Sequence, residues 1–216
     1  MNFWEERWQN GQTGWHNTQV NDNLVNHHKT LFQVKNPTIL VPLCGKSLDM
    51  AWLSEQGARI IGIDLVQQAI EEYCAEQNLE PEISTTESCV SYAADSQTLI
   101  HANVFDVHTK DIGTVDSIFD RAALVALPLE KREAYALHCL SLLKPGGSIL
   151  LITYDSPVAD DQGPPFPVRK GTVEKLYSSA TECVQLDEVL MTQENDERLR
   201  NRSLEWSRAD IWKITK

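Results

Sequence analysis

Between residues 38 and 154, short apolar runs of strand length alternate with segments of helical period, and this alternation constrains the fold more than any other feature of the chain. Residues 38–43, Thr-Ile-Leu-Val-Pro-Leu, carry apolar side chains on both faces, the pattern of a strand buried on both sides in a parallel sheet. Gly45 makes the turn. Residues 46–56 then follow a helical period, with Leu48, Ala51 and Trp52 on one face, Ser47 as N-cap and Gly57 as C-cap. The unit repeats as a strand at 59–64 and a helix at 67–77. Residues 81–97 are polar and poorly periodic, a longer loop or a hairpin. A short strand at 99–103 follows, then a strand at 115–120 and a helix at 128–143 that Pro128 can start. Residues 144–147, Lys-Pro-Gly-Gly, form a turn into an apolar strand at 148–154. Such alternation predicts an α/β fold, a Rossmann-like, doubly wound, mostly parallel sheet.

The flanks differ from this middle. Residues 1–20 are aromatic and polar, and Trp4 and Trp8 share a face at helical spacing. A helix over 20–32 ends before the Asn36-Pro37 breaker. After the last core strand, residues 155–168 hold Pro157, Gly163, Pro164, Pro165 and Pro167 and read as a loop. A short helix at 171–179 precedes two strands, 184–191 and 206–214, which close the sheet with a C-terminal antiparallel hairpin. With neither repeat nor linker, residues 1–216 read as one domain whose first 35 residues form an N-terminal lid.

Charge and composition exclude several classes of function. Lys and Arg number 19 and Asp and Glu 31, a net charge of −12 that repels a phosphate backbone, so no nucleic-acid substrate is expected. No apolar stretch approaches the roughly 18 residues of a spanning helix, so no membrane partner is expected. The N-terminus lacks the basic start and apolar run of a signal peptide. A cytoplasmic monomer is the resulting expectation. The five cysteines are widely spaced with no Cys-x-x-Cys pair, and the six histidines are scattered, so neither a disulfide framework nor a metal site is expected.

In an open α/β sheet, ligands bind beyond the carboxyl ends of the strands where the strand order reverses. Gly45, after the first strand, lets a ligand approach the backbone. Asp64 ends the second strand 19 residues later, where an acid can accept bonds from both hydroxyls of an adenosine ribose. A dinucleotide site would need Gly-x-Gly-x-x-Gly, and only Gly45 is present, which counts against NAD. A cofactor with adenosine but no phosphate needs less, and S-adenosylmethionine is such a cofactor. Phe119-Asp120-Arg121, at the end of the fourth strand, stands at the same edge, where Asp120 and Arg121 either face a bound ligand or form a surface ion pair.

Several segments taken together resemble one family: Phe3-Trp4-x-x-x-Trp8, Gly14-Trp15-His16, the Val41-Pro-Leu-Cys-Gly-Lys-Ser-Leu-Asp-Met-Ala-Trp52 run, the run from Asp120 to Ala126, and Gly163-Pro-Pro-Phe166. Over essentially its whole length the chain is similar to the thiopurine S-methyltransferase family, its bacterial branch in particular. The resemblance implies an S-adenosylmethionine-dependent enzyme in which Trp8, Leu43, Asp64 and Arg121 contact the cofactor. Asn103 and Val104 would lie around the adenine, and Trp4 would help close the lid. The resemblance further implies that Trp15 lines the acceptor pocket and that Arg202 stands near the acceptor. Two positions depart from the family pattern: Asp64 stands where Glu is usual, and Trp15 where Phe is common, which narrows the acceptor pocket.

The expected acceptor is a small aromatic or heterocyclic thiol. The alternative is another soft nucleophile: a selenium or tellurium species, an aliphatic thiol or a halide. Because the sulfonium donor is already activated, alignment is the main requirement, and orientation can supply about 7–11 kcal/mol. Arg121 is the expected catalytic residue, with Arg202 a second cation, both favouring an anionic sulfur by charge.

Overall fold

The computed structural model describes residues 2–86, 89–201 and 203–216. The strands are β1 (Thr38–Pro42), β2 (Arg59–Asp64), β3 (Glu82–Thr85), β4 (Val90–Ala94), β5 (Gln97–His101), β6 (Val115–Arg121), β7 (Leu143–Asp155), β8 (Glu182–Thr192) and β9 (Trp206–Thr215). The helices are α1 (Phe3–Gln9), α2 (Asp22–His27), α3 (Leu48–Glu55), α4 (Gln67–Glu76), α5 (Thr109–Ile112), α6 (Leu129–Leu142), α7 (Lys170–Leu176) and α8 (Glu197–Asn201). Among the described residues the strands form one sheet in the order β3-β4-β5-β2-β1-β6-β7-β9-β8. The five central strands, β5 through β7, are parallel. Antiparallel pairs, β3-β4 and β9-β8, extend each edge. The region 81–97 therefore resolves as a hairpin. Its strand character is weak in sequence because β3 is solvent-exposed along its whole length.

Alternate residues of the central strands feed two separate cores. Leu40, Ile63, Ile149 and Leu151 pack on one face, while Ile39, Val41, Ile60, Leu150 and Ile152 pack on the other. This is why the strands read as apolar on both sides. Four local expectations shift. The buried positions of α3 are Asp49, Met50 and Leu53, whereas Leu48, Ala51 and Trp52 are only half-buried. Trp52 instead meets the His28 ring, 5.5 Å away, so the N-terminal segment covers that side of the helix. The third core strand begins at Gln97 and ends at His101, leaving Asn103 beyond it as the N-cap of a short 3₁₀ turn. Pro128 stands just before α6, as its cap residue. Finally, residues 144–147 are a turn within β7: Val115 pairs with Leu143 and Ser117 with Ser148, so the Lys-Pro-Gly-Gly segment loops out between them.

β1 lies between β2 and β6, and the chain runs to β2 on one side and to β6 on the other. That reversal opens a crevice at the carboxyl ends of these strands. Two connections are tied to the sheet and to α6. The Ser117 hydroxyl donates to the Leu31 carbonyl at 2.8 Å, anchoring the N-terminal segment against β6. The proline-rich loop is held by Phe166 N–H on the Val125 carbonyl at 2.7 Å and by the buried Arg132 guanidinium, which donates to the carbonyls of Leu127 and Pro167. Among the described residues, no helix is long and apolar enough to cross a membrane.

Candidate active site

The turn after β1 is conformationally demanding. Leu43 has φ +49° and Gly45 φ +53°. The left-handed region is uncommon for a bulky residue such as Leu and easy for Gly. The Cys44 N–H donates to the Ile63 carbonyl at 3.0 Å, which folds the turn back on β2. The Asp64 side chain completes it: Gly45 N–H donates to Oδ2 at 2.7 Å and Val66 N–H to Oδ1 at 2.8 Å. Asp64 is 8% exposed. Burial raises its pKa, and the bonds from Val66 and Gly45 oppose that rise by stabilising the anion. Each carboxylate oxygen can accept more than one hydrogen bond, so acceptor capacity remains for a ligand hydroxyl.

The N-terminal aromatics lie over this turn. Asn2 and Glu5 form a capping box that fixes the start of α1. Trp8, 4% exposed, packs with Val66 and Ala69. The rings of Trp4 and Trp15 are 5.3 Å apart and those of Trp8 and Trp15 6.1 Å, both edge-on. A Cβ on Gly45 would stand 3.5 Å from Trp8 Cζ2 and 3.9 Å from Trp15 Nε1, so both indoles rest directly above that glycine. Lys46 fastens the arrangement to α4, with Nζ 2.8 Å from Glu72 and 2.6 Å from Glu76.

At the end of β6, Asp120 and Arg121 point to different partners. Asp120, 1% exposed, accepts the Tyr135 hydroxyl at 2.8 Å and the Leu124 N–H at 3.1 Å. Its burial pushes the carboxyl up to about 6. Arg121 donates to the Trp15 carbonyl at 3.0 Å and faces Asp49 at 3.8 Å. Burial lowers the guanidinium pKa and Asp49 opposes the effect. Asp120 is buried and Arg121 half-buried, so the two are not a surface ion pair. Both charges are instead taken up by other residues.

Trp15, Leu43, Gly45 and Arg121 line one small cleft, together with Val41, Phe119 and Ala122. His16, Cys44, Lys46, Ser47 and Asp49 share its wall and were not singled out as site residues from sequence. Burial and the nearby Lys46 and Arg121 charges lower the His16 pKa. Trp8 and Asp64 sit behind this wall, against Gly45. Val104 is buried in the core and Asn103 is exposed, both just past β5, whose end is tied to β2 by Ala102 N–H on the Asp64 carbonyl at 3.0 Å. Arg202 lies outside the described residues.

The architecture is that of the Rossmann-like methyltransferases. An N1-methyltransferase of Burkholderia thailandensis, solved with 1,6-didemethyltoxoflavin and S-adenosylhomocysteine, matches with TM-score 0.64 at 14% identity, over 98% of this chain and 84% of that one. The N-methyltransferase NodS of Bradyrhizobium japonicum, solved with S-adenosylhomocysteine, matches with TM-score 0.62 at 14% identity, over 97% of both chains. The family described as thiopurine S-methyltransferase matches residues 1–216. A thiopurine S-methyltransferase of Legionella pneumophila is 36% identical over 214 residues, 99% of this chain and 97% of that protein. One from Pseudomonas fluorescens is 39% identical over 175 residues, 81% of this chain and 80% of that protein. The chain belongs to the thiopurine S-methyltransferase family. It is an S-adenosylmethionine-dependent methyltransferase. The residues fit that cofactor: a buried carboxylate with spare acceptor capacity, a glycine turn under two indoles, and an adjoining cleft edged by a cation.

Proposed function

We propose that this enzyme methylates the sulfur of small aromatic or heterocyclic thiols. The observation that carries the reading is Arg121 and Trp15 at one cleft, the guanidinium donating to the Trp15 carbonyl at 3.0 Å. A flat aromatic wall beside a fixed cation suits a planar acceptor with an anionic sulfur.

S-adenosylmethionine, when bound, supplies a methyl group already activated on a sulfonium. In this reading Trp8, Leu43, Gly45 and Asp64 hold that cofactor, with Asn103 and Val104 beside its adenine and Arg121 at its reactive end. Asp64 accepts the ribose hydroxyls. Trp15 faces the acceptor. Arg121 favours the ionised sulfur by charge, and because a thiol with a pKa of about 8.5 is partly ionised near neutrality, no dedicated base is required. The aromatics of the N-terminal segment act as a lid that keeps water from the reacting sulfur.

The test is transfer from S-adenosylmethionine carrying a deuterated methyl, read by mass spectrometry over thiopurines, thiophenols, alkyl thiols, hydrogen selenide and halides. S-methylated aromatic thiols are expected as the leading products. Methylation confined to selenium or halide would overturn the assignment.

A further inference from the structure

The Asp49 carboxylate is 2% exposed and joins three separate segments. Its Oδ1 accepts the Asn21 backbone N–H at 2.8 Å. Its Oδ2 accepts the Ser47 hydroxyl at 3.0 Å and faces Arg121 NH1 at 3.8 Å. Arg121 in turn donates to the Trp15 carbonyl at 3.0 Å. Residues 15 and 21 are therefore both fastened to one Asp–Arg pair, and the strap between them carries Trp15 and His16 into the cleft wall. The Asn21 side chain is already committed to capping α2 through Asn23 and Leu24, which leaves its backbone N–H for Asp49. A helix first turn favours an acid by itself. That preference needs neither the burial of Asp49 nor the bond it accepts from Asn21, 28 residues away.

We infer that Asp49 is a positioning residue for methyl transfer, setting the direction of Arg121 and seating the 15–21 strap as a single coupled unit. The inference rests on the role given to Arg121 under the proposed function. It adds that closing the strap and aiming the cation are one event. Removing either partner of the pair loosens the same element.

The experiment uses the full chain with Asp49→Asn, Arg121→Lys and the double substitution. The readouts are amide hydrogen exchange over residues 15–21, kcat and KM with a thiophenol, and S-adenosylhomocysteine affinity by calorimetry. Each single substitution is expected to speed exchange over 15–21 by about tenfold and to lower kcat/KM by a similar factor, with the double no worse than the worse single. Multiplicative losses in the double, or faster exchange confined to residues 48–55 as a capping role alone would give, would overturn the inference. If Asp49→Asn does not fold, Asp49→Glu keeps the charge and displaces it by one methylene. The same non-additivity with Arg121→Lys is then expected, and additivity again refutes it. Failure of the wild type to methylate any thiol would sink the proposed function, while the exchange coupling would still decide the role of Asp49.

Discussion

Replacing Asp120 with Asn should make the protein more stable at neutral pH and abolish part of its pH dependence. Asp120 is sealed between β6 and α6, and burial pushes its carboxyl up to about 6 from an ordinary 3.8. The Tyr135, Leu124 and Ala123 donors recover only part of that burial cost. Because the folded state holds the proton more tightly, the carboxyl costs nothing below pH 3.8, where both states are protonated. Stability then falls as pH rises through about 6 and stays low above it. At 1.36 kcal/mol per pH unit the gap is worth about 3 kcal/mol. An Asn there can accept the Leu124 N–H and donate to the Tyr135 oxygen, but the Tyr135 hydroxyl then lacks its acceptor, a loss of about 1 kcal/mol. The net gain at pH 8 is about 2 kcal/mol, or roughly 4–8 °C in midpoint for a chain of this size. Below about pH 4 the variant should be the less stable of the two. Thermal and urea unfolding from pH 3.5 to 8.5 reads this directly. A variant less stable than the wild type at pH 8, or an unaltered slope between pH 4 and 6, would refute the reasoning.

Other substitutions probe the rest of the site. Asp64→Ala orphans the Gly45 and Val66 N–H groups and removes the proposed ribose acceptor, so stability should fall by about 1–3 kcal/mol and S-adenosylhomocysteine affinity by at least about tenfold, by unfolding and calorimetry respectively. Tight NAD binding by the wild type would count against the same site assignment. Gly62→Ala would set a Cβ 2.7 Å from Leu99 Cδ2 and 2.9 Å from Met50 Sδ. Such overpacking should cost about 1–3 kcal/mol in urea unfolding while the folded fraction keeps its activity. Tryptophan emission should change on saturation with S-adenosylhomocysteine, and Trp8→Phe with Trp15→Phe should remove most of the change. An unaltered emission in the wild type argues against an aromatic lid.

The central strands were legible because their burial on both faces leaves unbroken apolar runs such as Ile39-Leu40-Val41 and Ile149-Leu150-Leu151-Ile152. The β3-β4 hairpin was legible only as one of two alternatives, loop or hairpin, because β3 buries nothing and so carries no period. Gly45 and Asp64 were legible as a pair through their spacing, and the direct Gly45–Asp64 bond is the physical content of that spacing. Asp49 was hidden by an ordinary explanation: an acid in a helix first turn needs no distant partner, and its contacts with Asn21 and Arg121 come only from the folded chain. The Asp120–Tyr135 bond was equally invisible, since β6 and α6 reveal their mutual facing only once packed. His16 and Lys46 enter the cleft wall because the N-terminal segment folds back over the turn, a long-range placement that local pattern does not encode.

The most direct measurement is a single-turnover reaction of the enzyme with deuteromethyl S-adenosylmethionine and a thiophenol, followed by mass spectrometry of the product. Transfer to sulfur by the wild type is expected, slowed at least about tenfold in Arg121→Ala, with the loss shrinking as the thiophenol is made more acidic and needs less help to ionise. Transfer at undiminished rate without Arg121, or no transfer to sulfur by a wild type that binds S-adenosylhomocysteine, would contradict it.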